Sequence, residues 1–192
     1  MSSFNPVDVS HRFVEALVSE GDRCVDATVG NGYDTVFLAK RVGVTGHVLG
    51  VDIQVEAVTQ AKDRLAANTL GDRVSLRVSG HEDLDVHLEA LGWQSIRLAM
   101  FNLGYLPGSD KSIVTSSENT IRALAICERF LDRTGAISLI AYRGHAGGME
   151  EYEAVSRWFA QLPLDEFFVL RYERWTRTGG VAPVFFWAQK RS

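Results

Sequence analysis

The chain has 192 residues, of which 46% are apolar and 23% charged, and its formal net charge is −4. A chain of this length and composition is typical of a single α/β domain, which buries about 70% of the surface of its unfolded chain and needs no disulfide or metal to stabilise it. The negative charge argues against a generic basic coat for nucleic acid, although it leaves room for a local basic groove.

Targeting and redox features predict a cytoplasmic protein. The first residues lack a basic stretch followed by an apolar run, so we expect no signal peptide. No segment approaches about 18 consecutive apolar residues, so we expect no membrane contact. The two cysteines, Cys24 and Cys127, are not at metal-ligand spacing, so they favour a reducing compartment and no bound metal.

Apolar periodicity predicts strands that alternate with helices from residue 25 to residue 162. The predicted helices span residues 7–19, 34–41, 55–69, 83–91, 116–131 and 149–162. The predicted strands span residues 25–29, 47–52, 74–78, 96–102, 136–142, 167–175 and 184–189. The alternation predicts one domain of the α/β class, with a mostly parallel sheet and helices on both faces. The last two strands follow each other through a short link, so the seventh should run antiparallel.

The first predicted strand ends in a tight glycine turn, which predicts a ligand site. Gly30 and Gly32 follow the apolar run, and glycine lets backbone N–H groups come close to a ligand. Thr35 stands where the dinucleotide fingerprint requires a third glycine, and Asp26 and Asp34 flank the turn. These acids suit a cationic ligand, such as the sulfonium and α-amino groups of S-adenosylmethionine, better than they suit a pyrophosphate.

Acidic residues also follow the second and third predicted strands. Asp52 closes the second strand, where a carboxylate can accept hydrogen bonds from the hydroxyls of a ribose. His81, Glu82 and Asp83 follow the third strand. They predict either contacts to an adenine amine or a solvated turn that caps the next helix.

The fourth predicted strand runs into Asn102 and then into residues 103–108, which must form a loop. Methyl transfer to nitrogen needs a polar group that orients the lone pair of the acceptor amine and an apolar surface that excludes water. Asn102 and Tyr105 provide both, and Asp110 either takes the proton of the acceptor or caps the following helix. We therefore predict Asn102, Tyr105 and Asp110 as catalytic residues.

The runs from Asp26 to Thr35 and from Asn102 to Lys111 resemble the class I S-adenosylmethionine-dependent methyltransferases, which have a Rossmann-like fold. More narrowly, they resemble a small bacterial family known as rRNA methylases. Better-defined members of that family methylate the 5-aminomethyl group of 2-thiouridine at the tRNA wobble position. The resemblance covers nearly the whole chain and implies that S-adenosylmethionine is the cofactor.

The resemblance also implies a role for each site residue. The methionine part of the cofactor would be held by Asp26, Thr28, Gly30, Asn31, Gly32, Asp34 and Thr35. The ribose and adenine would be held by Asp52, Ile53, Gln54, His81 and Glu82, and the transferable methyl would lie beside Asn102 and Leu103. His11 matches a histidine of the family's leading helix, which either faces the pocket or has a structural role.

Basic and aromatic residues late in the chain predict the binding site for an anticodon loop. Arg171, Arg174 and Arg177 are interleaved with Tyr172 and Trp175. This pattern suits unstacked bases and phosphates, but it is equally typical of a solvated edge strand. This chain departs from the family here, because residues 177–181 read Arg-Thr-Gly-Gly-Val where an Asn-rich loop before the proline is expected. We predict tRNA as the partner, bound by Lys111, Arg143, His145, Arg174 and Arg177.

Other functions stay open at this point. The acceptor of the methyl group could instead be an rRNA base, a DNA adenine or a small amine. An NAD-dependent oxidoreductase or a non-catalytic nucleotide-binding module is a different class of function, which the missing third glycine disfavours. The apolar tail strands leave a homodimer open.

Overall fold

The computed structural model describes residues 4–104, 116–174 and 182–192. Its α-helices are α1 (Pro6–Leu17), α2 (Tyr33–Arg41), α3 (Val55–Ala67), α4 (Leu84–Ala90), α5 (Ser117–Phe130) and α6 (Gly148–Gln161). Its strands are β1 (Arg23–Asp26), β2 (His47–Asp52), β3 (Val74–Val78), β4 (Ile96–Leu103), β5 (Leu131–Ala141), β6 (Phe167–Glu173) and β7 (Val184–Lys190). Two single-turn 3-10 helices, Gly71–Arg73 and His81–Asp83, precede β3 and α4.

Within these residues the strands form one seven-stranded sheet in the order β3-β2-β1-β4-β5-β7-β6. Strands β1 to β5 pair in parallel, and β7 lies between β5 and β6 and is antiparallel to both. Six strands therefore run one way and the last runs the other way, which confirms the predicted α/β fold. The order reverses between β1 and β4, and ligands bind at such a point in open α/β sheets.

Alternating side chains of the sheet divide the core into two layers. One layer packs under α4, α5 and α6, with Leu88, Leu124 and Phe159 among its fully or nearly fully buried residues. The other packs under α1, α2 and α3, with Val14 and Leu38. Burying both faces of a parallel sheet requires strands that are apolar on both sides, as the runs in β4 and β5 are. Among the described residues, no helix is long and apolar enough to cross a membrane.

Two strand boundaries differ from the sequence prediction by more than two residues. β1 ends at Asp26 rather than at residue 29 because the chain then turns across the sheet, where the Val29 N–H donates to the Val51 carbonyl at 3.1 Å. β5 begins at Leu131 rather than at residue 136. Gly135 permits this extension, since a Cβ there would lie 3.0 Å from the Ile96 carbonyl oxygen of the neighbouring strand.

Candidate functional site

The glycine turn after β1 lies against α3 and has a backbone that only glycine adopts readily. Gly30 and Gly32 have φ angles of +49° and +77°. A Cβ on Gly32 would lie 2.8 Å from the Cα of Ala61. Arg64 of α3 donates from Nε to the Asn31 carbonyl at 2.8 Å, so the turn is also held from outside. The turn is thereby fixed at the N-terminus of α2, with backbone N–H groups at its rim.

Asp26 lies buried beneath this turn. Its carboxylate accepts hydrogen bonds from the Thr35 hydroxyl at 2.6 Å and from the Thr28 N–H at 3.2 Å. Burial raises the pKa of Asp26 to about 7, and the neighbouring charge of Asp34 adds to the shift. A cation that arrives near Asp26 and Asp34 relieves this repulsion, so the pair favours a positively charged ligand.

Asp52 joins the turn after β1 to the turn after β2. Its two carboxylate oxygens accept the Gly30 N–H at 2.8 Å and the Gln54 N–H at 2.9 Å. Asp52 also lines a cleft beside Ile53, whose side chain is 51% exposed although it is large and apolar. An acid next to an exposed aliphatic side chain suits a ribose that carries a flat base. The rest of the lining comprises Ala27, Thr28, Ser79, Gly80, His81, Glu82, Ser116 and Asn119.

His81 and Glu82 form a 3-10 turn before α4 and also line the cleft. Within the described part of the chain, no side-chain hydrogen bond from this turn caps α4, and the contact to an adenine amine stays a prediction. The Glu82 carboxylate accepts a hydrogen bond from the Asn119 amide at 2.9 Å. Burial lowers the pKa of His81, and Nε2 of its ring lies 3.5 Å from the Thr120 hydroxyl. That hydroxyl donates to the buried Glu151 at 2.7 Å. Ser79, Ser116 and Asn119 were not predicted from the sequence. Ser116 and Asn119 reach the cleft because the fold brings the start of α5 against the turn after β3.

Asn102 is the penultimate residue of β4 and lies against the turn that follows β1. Its backbone N–H donates to the Thr28 hydroxyl at 2.7 Å, and its side-chain Nδ2 donates to Asp34 at 3.3 Å. The other oxygen of Asp34 lies 2.8 Å from Nε2 of His11. The side-chain oxygen of Asn102 is buried and has no hydrogen-bond partner among the described residues. A buried acceptor without a donor is costly, so this atom marks a place where a ligand N–H belongs.

Leu103 and Tyr142 flank Asn102 at the ends of β4 and β5. The Leu103 side chain is fully buried in the core, so only its backbone is free to contact a cofactor. Tyr142 directly follows β5 and is half-buried, and its ring would lie 3.6 Å from a Cβ on Gly104. Burial and the charge of Asp34 raise the pKa of its hydroxyl. Tyr142 was missed as a site residue, although its position after a strand end was a signal.

The predicted substrate residues differ in how far their polar groups already bond within the protein. The Arg143 guanidinium donates to Glu173 and to the Ala182 carbonyl, so much of its charge is used within the protein. Arg143 therefore links the residues after β5 to the end of β6 and to Ala182 shortly before β7, and it stabilises this end of the sheet. His145 bonds from Nδ1 to the Ala146 carbonyl at 3.0 Å, and Arg174 is exposed. Tyr105, Asp110, Lys111 and Arg177 lie outside the described residues.

Comparison with known proteins identifies this arrangement. The family model described as "Putative rRNA methylase" matches residues 48–188. The chain belongs to this family. A second model, protein-L-isoaspartate(D-aspartate) O-methyltransferase, matches residues 2–83, which carry the glycine turn.

Individual relatives agree with the family assignment. A chloroplastic tRNA (mnm5s2U34)-methyltransferase of Arabidopsis thaliana is 35% identical over 96% of this chain and 69% of its own length. A solved structure described as an rRNA methylase of Clostridium thermocellum has a TM-score of 0.93 and 36% identity over 100% of both chains. A methyltransferase of Streptococcus mutans, solved in complex with SAH, has a TM-score of 0.88 and 28% identity over 98% of this chain and 99% of its own.

The methylase is therefore an S-adenosylmethionine-dependent enzyme, as the resemblance in the sequence predicted. Its residues fit this cofactor on structural grounds. Glycines keep the turn free of side chains, Asp26 and Asp34 suit the cationic methionine part, and Asp52 with Ile53 suits the adenosine. The individual residue contacts stay a prediction.

Proposed function

We propose that the methylase transfers a methyl group to the nitrogen of an RNA-borne primary amine, the 5-aminomethyl group of 2-thiouridine at the tRNA wobble position. The observation that carries this proposal is the buried, unpartnered side-chain oxygen of Asn102. An amine N–H supplies the missing donor and leaves the nitrogen lone pair free to face the methyl group. The Arabidopsis relative, a tRNA (mnm5s2U34)-methyltransferase, supports the choice of a wobble uridine.

The side chains of this site would act by orienting the amine. When bound, S-adenosylmethionine supplies a methyl group on a positively charged sulfur. Asn102 accepts one N–H of the neutral amine, and this hydrogen bond turns the nitrogen lone pair toward the methyl group. Asp34 fixes the Asn102 amide by accepting a hydrogen bond from its Nδ2, so the oxygen keeps its direction. The half-buried Tyr142 helps to exclude water from the same place.

Aromatic and arginine side chains at the surface on the α1 side of β6 support RNA as the carrier of the amine. Tyr172 donates from its hydroxyl to the Phe4 carbonyl at 2.8 Å, and the Arg12 guanidinium lies over the Phe4 ring, 5.5 Å from its centroid. Arg174 is exposed and directly follows β6, two residues after Tyr172. Arginine planes and aromatic rings are the groups on which unstacked RNA bases stack. On a chain with a net charge of −4, such a local group suits a short loop rather than a long duplex.

Methyl transfer to defined tRNAs tests the proposal. The protein is incubated with labelled S-adenosylmethionine and with tRNA that carries uridine, 5-aminomethyl-2-thiouridine or its N-methylated product. We expect label only in the aminomethylated tRNA. Equal labelling of the uridine form would instead indicate a ring nitrogen or carbon acceptor, and labelling of free small amines alone would favour the metabolite alternative.

Cellular location and oligomeric state are two further properties of the enzyme that can be tested. We propose that the enzyme acts in the cytoplasm, which the two buried free thiols support. A homodimer stays a prediction that sedimentation of the purified protein can test.

A further inference from the structure

His11 of α1 is held in one orientation beside the proposed reaction centre. Its imidazole stacks on the Phe37 ring with centroids 4.0 Å apart and planes 6° apart. Nε2 lies 2.8 Å from Oδ1 of Asp34, and the two side chains are 27% and 12% exposed. A stacked ring with one nitrogen bonded to a carboxylate can neither rotate nor change tautomer freely.

Asp34 connects His11 to the unpartnered Asn102 oxygen. One carboxylate oxygen faces the imidazole, and the other accepts the Asn102 amide at 3.3 Å. With Nε2 bonded to Asp34, the lone pair of the neutral ring is on Nδ1, which has no hydrogen-bond partner among the described residues. The three side chains come from α1, α2 and β4, so this alignment exists only in the folded chain.

The proposed reaction requires a proton acceptor. The aminomethyl group is an ammonium ion at neutral pH, and it must lose a proton before its nitrogen can attack. The nearby Asp26 is enclosed by Thr35 and Thr28, and both oxygens of Asp52 already accept backbone N–H groups. Among the described residues near Asn102, His11 therefore combines partial exposure with a free acceptor nitrogen.

We propose that His11, oriented by Asp34, accepts at Nδ1 the proton that the substrate ammonium loses. This inference rests on the proposed function. The neutral amine then forms its nitrogen–carbon bond to the methyl group as the carbon–sulfur bond breaks, and the electron pair of that bond stays on sulfur. The products are a protonated secondary amine, a neutral thioether and an imidazolium ion paired with Asp34, so one proton is released to solvent in each cycle.

Other titratable groups surround this pair. Asp8 and Glu15 lie on α1 one turn before and after His11, Asp26 lies on β1 next to Asp34, and Tyr142 follows β5. Asp26 is held by its hydrogen bonds to Thr35 and Thr28, so His11→Gln should not displace Asp26 or the other titratable groups. Glu15→Gln is the matched control, because it removes one exposed titratable group from the same helix.

Single-turnover rates on aminomethylated tRNA test the proposal across pH 6 to 10. We expect His11→Gln, which retains a donor to Asp34, to lower the rate at pH 7 by about 100-fold. The deficit should shrink as pH rises, because the amine is then neutral without a base. Added imidazole should raise the rate of His11→Ala at least tenfold. Glu15→Gln should stay within twofold of wild type.

Binding of S-adenosylhomocysteine by calorimetry separates catalysis from folding, and we expect His11→Gln to bind within threefold of wild type. Near-wild-type turnover of His11→Gln, a deficit that is equal at all pH values, absence of imidazole rescue, or a matching loss of S-adenosylhomocysteine affinity would each overturn the proposal for His11. Failure of the wild-type protein to label aminomethylated tRNA would instead overturn the proposed function.

Discussion

Two edges of the pocket are built by different kinds of contact. At the cofactor edge, formed by the turns after β1, β2 and β3, the buried or half-buried carboxylates mainly accept backbone N–H groups. Asp26 and Asp52 each accept the N–H of the residue two positions later, and Asp52 also accepts the Gly30 N–H. At the acceptor edge, formed by the ends of β4 and β5 with α1, side chains contact side chains from distant segments. Asn102 and Asp34 are 68 residues apart, and His11 and Asp34 are 23 apart.

This difference separates binding from chemistry. Backbone donors at the cofactor edge hold rigid carboxylates that recognise a common ligand, and many sequences can build such turns. The acceptor edge depends on the mutual placement of a few side chains, and a small displacement there changes which acceptor fits. Substitutions at the cofactor edge should therefore change affinity, and substitutions at the acceptor edge should change rate.

Asn102→Ala tests the acceptor edge and should have the largest effect. It removes the oxygen that orients the amine, so we expect single-turnover methyl transfer to fall by about 100- to 1000-fold. Affinity for S-adenosylhomocysteine, measured by calorimetry, should change less than threefold. Asn68→Ala, at the exposed end of α3, is the control and should leave both values within twofold. A loss of affinity that equals the loss of rate would remove the distinction between the edges.

Asp52→Ala tests the cofactor edge. It removes the acceptor for Gly30 and Gln54 and the predicted ribose contact, so we expect the Kd for S-adenosylhomocysteine to rise about 100-fold. The rate at saturating cofactor should fall less than tenfold. Asp63→Ala changes an exposed acid on α3 and should not alter the Kd. An unchanged Kd for Asp52→Ala would contradict the assignment of this edge.

Gly32→Ala tests how far the turn depends on its backbone. The new Cβ would meet the Cα of Ala61 at 2.8 Å in a residue with φ of +77°, so we expect a loss of about 2 kcal/mol in the free energy of unfolding. Chemical denaturation measures this loss. Gly71→Ala is the control, since its Cβ would meet nothing within 4 Å. Equal stability of the two variants would show that the turn adapts.

The change of cofactor affinity with pH should be the smallest of these four effects. The pKa of Asp26 is raised to about 7 in the free protein, and a cationic ligand favours the ionised form. S-adenosylmethionine affinity should therefore rise with pH up to about 7, by at most about tenfold per unit, and level off above it. Calorimetry in buffers of different ionisation enthalpy should detect proton release at pH 6. Asp26→Asn should flatten the profile, and a flat wild-type profile would contradict the coupling.

Sequence reasoning predicted the cofactor edge better than the acceptor edge. Gly30 and Asp52 adjoin as the sequence predicted, because their spacing along one βαβ unit sets their positions in space, and their contacts to the cofactor stay a prediction. The 3-10 turn at His81 was visible only in part, and the contribution of Asn119 was not visible at all, since α5 reaches the cleft from another part of the chain. The beginning of β5 was misplaced because Gly135 suggests a break where the neighbouring strand requires close approach.

The sequence by itself determined the alternation of strands and helices, the antiparallel last strand and the glycine turn, because each depends on periodicity or on residues close together in the chain. It also determined the family, since the runs after β1 and β4 are long and specific. Only the tertiary structure decided that Asp26 is buried with a raised pKa, that Arg143 braces its own sheet edge, and that His11, Asp34 and Asn102 adjoin. Burial and long-range contact depend on how helices pack across the sheet, and local spacing carries no record of that packing.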